Sequence, residues 1–313
     1  MSVRLVRVLF TAFVVLFLVM PVSSAAAANK SWTVMVYLDG DNNLEDYVTL
    51  DIRDELSALG SNADVNVVCI ADRAPGYNTT YGDWQGTKLF YCTQGMLPDA
   101  ASAVADWGER NMGDPQTLVD FVTWTKTNYP ADHYMIAFWD HGYMWFPNYW
   151  NTLDDTSADS LDDDEQVDAM AIAGGIDVVS WDQCQRQMIE VAANWQPYAK
   201  AMAGSEDYTN WEGIQYDLVI AALRANPSMT AQQCSDTIAT TAQGDSLTQS
   251  SIALDGRFDT LMTAVDEWSV ALILFNLVFL AHAVSMMARG CRDVKLVPAI
   301  VGSLDIVMGE IDR

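Results

Sequence analysis

Residues 134–142 read YMIAFWDHG and residues 176–184 read IDVVSWDQC, and these two stretches decide the fold. Each begins as an apolar run with the length of a buried strand and ends in polar residues. Helical patterns of roughly 10–15 residues separate such runs along the chain, an order typical of a mostly parallel sheet. His141 and Cys184 stand at matching positions just after the two runs.

The remaining elements follow from the same patterns of apolar residues. A buried strand is predicted at residues 33–38, with further strands at 65–71 and 199–204 and an added hairpin strand at 88–92. Helices are predicted from Asn43, taken as an N-cap, from Pro115, after Cys184, and within 214–223 and 230–241. The sequence therefore predicts an α/β fold with a mostly parallel central sheet and helices on both faces.

Side chains at the carboxyl ends of parallel strands meet at one edge of the sheet, so His141 and Cys184 are expected to lie side by side. A cysteine acts as a nucleophile in its thiolate form, which a neighbouring histidine can generate. A helix starting directly after Cys184 would favour the thiolate through its positive N-terminal end. Taken singly, each residue has an ordinary alternative, an inert buried thiol or a loop histidine. Their pairing at matching strand ends favours catalysis.

The length and composition fit one large domain or two small ones, with a buried core. Of 313 residues, 50% are hydrophobic and 19% are charged, which excludes a wholly disordered chain. Asp and Glu number 42 against 16 Lys and Arg. The resulting net charge of −26 repels phosphate backbones and argues against nucleic acid as a partner. The five cysteines include no CxxC pair and indicate neither a zinc site nor a dense disulfide framework.

Both ends of the chain differ from the predicted domain. Residues 1–28 have the layout of a secretory signal peptide, so the protein is expected to be secreted or held at the cell surface. Residues 270–288 are nearly all apolar and just long enough to span a membrane, and the alternative is a buried helix of the last layer. The predicted organisation is a signal peptide at 1–28, a globular domain at 29–267, and an apolar helix with a C-terminal tail at 268–313.

Five segments resemble the clostripain family of cysteine peptidases. They read WTVMVYLDGDNNLE at 32–45, WDHG at 139–142, DDTSADSL at 154–161, VVSWDQC at 178–184 and MAGSED at 202–207. They occur in the family's order with compatible spacing. The resemblance implies a caspase-like three-layer sandwich, with residues 29–267 as the peptidase domain. It also implies an endopeptidase that acts on proteins or peptides.

The resemblance assigns catalytic roles to the two strand-end residues. Cys184 would be the nucleophile and His141 the general acid and base. The backbone N–H groups of Gly142 and Cys184 would hold the oxyanion, because glycine has no side chain to block the approach.

The resemblance also implies a subsite for a basic P1 side chain. Asp182 matches the acidic position that the family uses for it, so cleavage after Arg or Lys is expected. The alternative role for Asp182 is to cap the following helix. Glu206 and Asp207 are candidates for a second acidic wall of this subsite.

The sequence requires no cofactor, but calcium is a candidate because some members of the family bind it. Residues 154–168 are rich in carboxylates, which suit a hard cation, and Asp154 and Asp155 are the candidate ligands. The stretch matches no defined calcium loop, and the alternative is a solvated acidic loop.

The chain departs from the family's pattern in two places. Tyr143 and Trp145 stand where the family usually has glycines, and they could narrow the substrate cleft. No Lys or Arg lies between Lys126 and Arg186, so self-cleavage after a basic residue is not expected there. Two other functions remain open: a catalytically silent binding or sensor protein with the cleft closed by these aromatic residues, and an acidic, membrane-anchored structural protein.

Overall fold

The structure is a computed structural model and describes residues 29–145, 151–210, 213–241 and 248–290. The predicted signal peptide at 1–28 and the predicted tail beyond residue 290 lie outside the described residues.

The centre of the molecule is an eight-stranded sheet with the strand order β10-β9-β8-β5-β1-β2-β3-β4. Its five central strands, from β9 to β2, are parallel, and antiparallel strands flank them on both sides. A separate two-stranded hairpin is formed by β6 and β7. The strands are β1 Lys30–Gly40, β2 Val65–Arg73, β3 Thr87–Tyr91, β4 Ala105–Gly108, β5 Ala131–Trp139, β6 Leu153–Asp154, β7 Asp159–Ser160, β8 Val178–Asp182, β9 Ala201–Ser205 and β10 Gln249–Ala253.

Helices cover both faces of this sheet. Helix α1 is a composite, in which Glu45–Leu50 continues through a π-helical turn, Asp51–Leu56, into Ser57–Leu59. The other helices are α2 Pro115–Asn128, α3 Asp163–Ala173, α4 Ile189–Trp195, α5 Tyr216–Ala225, α6 Ala231–Thr241 and α7 Gly256–Gly290.

The alternation of side chains along β1 divides the interior into two cores. Val34 and Val36 pack in one cluster with α1, α5 and α6, whereas Met35 and Tyr37 pack in another with α2, α3 and α4. Because β1 is buried on both faces, its sequence is continuously apolar instead of alternating. This arrangement confirms the predicted α/β fold with three layers.

Three local predictions were wrong. Asn43 does not cap α1; Leu44 holds the N-cap position, and its N–H donates to the side chain of Asn42. The helix predicted over Met188, Ile189 and Val191 is present as α4, but it begins five residues after Cys184 instead of directly after it. Residues 154–168 are not a solvated loop throughout, because Asp162 forms a capping box with Glu165 that starts α3.

Helix α7 is long, apolar and exposed. Its first turn packs Phe258 into one of the cores. The segment Gly256–Ala281 has a mean hydropathy of 1.7, and none of its most apolar window is buried. The prediction of a buried helix in the last layer is therefore wrong for these residues. The predicted domain boundary at residue 268 falls inside this continuous helix.

Candidate active site

The site lies at the carboxyl ends of β5 and β8, which pair in parallel. Trp139 is in register with Asp182, so His141 and Cys184 each lie two residues beyond a paired position. Gly142 packs tightly against the backbone of Cys184. A Cβ atom at Gly142 would lie 2.5 Å from the carbonyl oxygen of Cys184 and 3.0 Å from its nitrogen. Only glycine allows the two strand ends to approach this closely.

Both strand ends open into a cavity of about 280 Å³. The lining includes His141, Cys184 and Asp182, three of the residues singled out from the sequence. The other lining residues are Leu44, Tyr47, Asp51, Trp139, Asp140, Tyr208, Thr209, Asn210 and Gly213. The fold therefore brings the predicted nucleophile, the predicted base and the predicted acidic residue to one concave surface.

The imidazole of His141 contacts the side chain of Asn43, which lies 98 positions earlier in the chain. Its Nε2 lies 2.9 Å from the carboxamide oxygen Oδ1 of Asn43, an acceptor, and this contact favours the tautomer with the proton on Nε2. Burial lowers the pKa of His141, against the opposing charge of Asp155. A neutral imidazole can accept a proton near pH 7.

The sulfur of Cys184 is half-buried and receives a backbone hydrogen bond. The N–H of Thr209 donates to Sγ at 3.3 Å, and the Thr209 hydroxyl lies 3.6 Å from Sγ. These contacts come from the loop after β9. The helix that follows Cys184, α4, begins five residues beyond the cysteine. The donor that faces the sulfur is therefore a loop N–H and not the end of a helix.

Two backbone N–H groups where the strand ends meet are candidate donors for a ligand. Among the described residues, none accepts a hydrogen bond from the N–H of Gly142 or from that of Cys184. Unpaired N–H groups beside a nucleophile can bind the negative oxygen of a tetrahedral intermediate.

Asp182 is the last residue of β8, and its carboxylate lies in the wall of the cavity. Burial raises its pKa to about 6, although the N–H of Ile214 donates to Oδ2 at 3.1 Å. Gly213 has φ +55°, and a Cβ atom there would lie 2.4 Å from Oδ1. The helix that follows Asp182, α4, has Met188 at its N-cap, so the alternative role considered from the sequence is wrong.

Two further carboxyl groups stand next to Asp182 and were missed from the sequence. Asp51 lines the cavity from the first position of the π-helical turn, and burial together with the charges of Glu55 and Asp182 raises its pKa. Glu55 accepts the N–H of Tyr216 at 3.0 Å, and burial raises its pKa to about 8. In the sequence, residues 51–56 (DIRDEL) resemble the exposed face of an ordinary helix. The feature of the sequence that could have identified Asp51 and Glu55 is the unusual density of acidic residues in this one turn.

The remaining predicted site residues lie elsewhere. Glu206 and Asp207 are exposed on the loop after β9 and are not among the residues that line the cavity. Asp154 is fully buried near Asp41, away from the cavity lining, whereas Asp155 is exposed. Asp51 lines the cavity together with Asp182, whereas Glu206 and Asp207 are not in its lining.

Comparison with known proteins places this geometry in a family. A model of the clostripain family matches residues 36–288, most of the chain. The chain belongs to the clostripain family. Clostripain from Hathewaya histolytica is 26% identical over 194 residues, which cover 54% of this chain and 36% of clostripain. The matched part of this clostripain-family chain thus spans little more than a third of that relative.

Solved structures show the same fold. A secreted C11 cysteine protease from Bacteroides thetaiotaomicron, in complex with an irreversible peptide inhibitor, has a TM-score of 0.56 at 23% identity. The match covers 68% of this chain and 58% of that one. An inactive zymogen C11 protease from Parabacteroides distasonis has a TM-score of 0.57 at 20% identity, covering 76% of this chain and 65% of that one. Both support the caspase-like architecture of this clostripain-family chain.

Proposed function

We propose that this chain is a cysteine endopeptidase with Cys184 as nucleophile and His141 as general acid and base. The observation that carries the proposal is that the two residues follow register-paired strand ends and line one cavity. Membership of the clostripain family supports the same reaction.

In the proposed reaction, His141 accepts the thiol proton and the thiolate of Cys184 adds to the scissile carbonyl carbon. The N–H groups of Gly142 and Cys184 stabilise the resulting oxyanion. The C–N bond then breaks as protonated His141 donates its proton to the leaving amine. Water, deprotonated by His141, attacks the thioester, and the C–S bond breaks to release the carboxyl product and restore the thiol.

The substrate is proposed to carry Arg or Lys at P1. Asp182 and Asp51 line the cavity, with Glu55 adjacent, and in the described part of the chain none of them forms an ion pair. A guanidinium or ammonium group would supply the missing charge. A neutral P1 side chain would leave buried carboxylates without a partner, which disfavours it.

A chloromethyl ketone with Arg at P1 tests the proposed chemistry. Mass spectrometry should find the inhibitor on Cys184 in the wild type, and His141→Ala should abolish the labelling. Cys234→Ala, which alters a buried thiol in α6, should be labelled like the wild type. Absence of labelling under reducing conditions, with and without Ca²⁺, would overturn the proposal.

The proposed P1 preference has its own test. Asp182→Asn should lower kcat/KM for a P1 Arg substrate by about 100-fold, because the bound guanidinium loses its charged partner. A matched substrate with P1 Leu should lose far less. Equal losses on both substrates would contradict the P1 role while leaving the peptidase reaction intact.

A catalytically silent role on the same scaffold is the alternative. This alternative requires that Tyr143 and Trp145 close the substrate cleft. Both side chains are exposed, however, and neither is among the residues that line the cavity. The open cavity favours the enzyme. Labelling of Cys184 separates the two functions directly.

We further propose that the protein is exported and held at a membrane by α7. The structural relative from Bacteroides thetaiotaomicron is described as secreted, and α7 is long and apolar enough to cross a bilayer. The full chain should sediment with membranes and resist extraction by alkaline carbonate. A chain ending before residue 256 should be released into the soluble fraction.

The enzyme is also proposed to act without cutting itself between His141 and Cys184, because residues 127–185 contain neither Lys nor Arg. The purified wild type should therefore run as one chain. A nick in this linker that disappears in Cys184→Ala would contradict this expectation.

A further inference from the structure

A fully buried arginine lies directly beside the nucleophile in the sequence. Arg186 follows Cys184 by two positions, and none of its surface is exposed. Residues 127–185, which include both His141 and Cys184, contain neither Lys nor Arg, so Arg186 is the first basic residue after that stretch. A buried guanidinium is tolerated only when a carboxylate and hydrogen-bond acceptors surround it. The partners of Arg186 therefore show which segments it connects.

The guanidinium of Arg186 joins three segments at this edge of the sheet. Nη2 donates to Oδ1 of Asp163, the first residue of α3, at 2.6 Å. Nη1 donates to the carbonyl oxygen of Met144, in the loop after β5. The group also lies over the ring of Trp181 in β8, 5.3 Å from its centre. Since Arg186 itself belongs to the loop after β8, one side chain connects the two catalytic loops to α3.

The carboxylate that receives Arg186 is itself held by other donors. Nδ2 of Asn194 donates to Oδ2 of Asp163 at 2.8 Å, and Nε1 of Trp195 donates to Oδ1 at 3.3 Å. Both donors belong to the last two residues of α4. The backbone at Asp163 is also fixed, because the capping box of Asp162 starts α3 immediately before it. The guanidinium is thus held from a fixed point between two helices.

The two loops that Arg186 connects contain unusual backbone conformations. Met144 has φ +45° and Gln185 has φ +57°, values in the left-handed region that side chains other than glycine rarely adopt. Met144 is the residue whose carbonyl accepts the guanidinium, and Gln185 lies between Cys184 and Arg186. Such conformations persist where the surrounding contacts impose them. The contacts of Arg186 act on both strained residues at once.

On the basis of the proposed peptidase reaction, we propose that Arg186 is a positioning residue that holds the loops of His141 and Cys184 in their reactive arrangement. It acts through Met144 and Asp163, and it is not among the residues that line the substrate cavity. A lysine cannot replace it, because a single ammonium group lacks the planar fork that reaches two acceptors in fixed directions. Loss of the fork should therefore affect turnover and leave substrate binding intact.

Steady-state kinetics on a P1 Arg substrate tests this role. Arg186→Lys keeps a positive charge beside Asp163, so it should fold, and its kcat should fall about tenfold while KM changes less than about twofold. The double variant Arg186→Met with Asp163→Asn leaves no unpaired buried charge and should lose at least as much kcat. Wild-type kcat in both variants would overturn the inference.

The matched control removes a basic side chain at the other end of α3. The ammonium group of Lys126 donates to the carbonyl oxygens of Ala173 and Gly175, far from the cavity lining. Lys126→Met should lower the unfolding temperature and leave kcat unchanged. An equal loss of kcat in Lys126→Met would show that destabilisation alone explains the effect, and would overturn the positioning role.

A second readout does not depend on peptide cleavage. Peptide mass spectrometry can follow the alkylation of Cys184 by iodoacetamide as a function of pH. The midpoint should rise by about one pH unit in Arg186→Lys, because the sulfur loses its alignment with the imidazole of His141. Lys126→Met should keep the wild-type midpoint, and an unchanged midpoint in both Arg186 variants would overturn the inference. A shifted midpoint in a chain that cleaves no peptide would refute the peptidase and support the positioning role.

Discussion

The carboxamide oxygen of Asn43 lies 2.9 Å from Nε2 of His141, although 98 positions separate the two residues. The contact is made because β1 and β5 are neighbours in the sheet and the loops after both strands leave at the same edge. Asn43 can thereby fix the orientation and the tautomer of the imidazole.

Removing this contact should impair turnover more than substrate binding. Asn43→Ala leaves the ring free to rotate, so kcat should fall by roughly 10- to 100-fold. KM should change little, because Asn43 does not line the cavity. Steady-state kinetics on a P1 Arg substrate separates the two parameters. Asn128→Ala, a surface change on α2, should leave both unchanged, and a rise in KM alone would contradict the positioning role.

The acidic wall formed by Asp51 can be tested separately from Asp182. Asp51→Asn should lower kcat/KM for P1 Arg substrates by about tenfold while raising the free energy of unfolding by about 1 kcal/mol. The gain in stability is expected because burial and two neighbouring carboxylates disfavour the charge. Denaturant titration at pH 8 measures it.

The control for this variant lies in the same helical turn. Asp54→Asn removes an exposed carboxylate that pairs with Arg53, so it should show neither effect. If Asp51→Asn were as active as the wild type on Arg substrates, Asp51 would have no part in recognition.

The raised pKa of Asp182 predicts a pH dependence that is specific to basic substrates. Its pKa is about 6, so the carboxylate needed to bind Arg is lost as the pH falls through 6. The ratio of kcat/KM for P1 Arg to that for P1 Leu should fall about tenfold per pH unit below 6. A ratio that is constant between pH 5 and pH 8 would exclude the predicted role.

The raised pKa of Asp182 also affects the stability of the folded protein. Stability falls with rising pH, whereas the preference for Arg substrates rises. Between pH 3.8 and about 6, the folded protein retains the proton on Asp182 and the unfolded chain does not. This residue therefore lowers the stability as the pH rises through that window.

Gly142→Ala should disrupt the contact between the two strand ends. The new Cβ atom would clash with the carbonyl oxygen of Cys184, 2.5 Å away, and displace the two N–H groups proposed to bind the oxyanion. We expect kcat to fall by about 100-fold or more. Gly256→Ala, where the nearest atom is 4.0 Å away, should be fully active in the same peptidase assay.

Local patterns determined most of the fold. The strands β1, β2, β5 and β8 are apolar runs buried on both faces, and such runs are recognisable without knowing what covers them. Because reactive residues directly follow two of these strands, the sequence also predicted that His141 and Cys184 would lie side by side, and both residues line one cavity.

The tertiary structure decided the contacts that link distant parts of the chain. The partnership of Asn43 with His141, the position of Asp51 beside Asp182, and the contact of Arg186 with Met144 depend on which strands are neighbours and in which register. Polar side chains in loops carry no periodic pattern, since their partners are set by geometry across the sheet. Periodicity therefore fixed the elements, and only the packed sheet brought their polar ends within bonding distance.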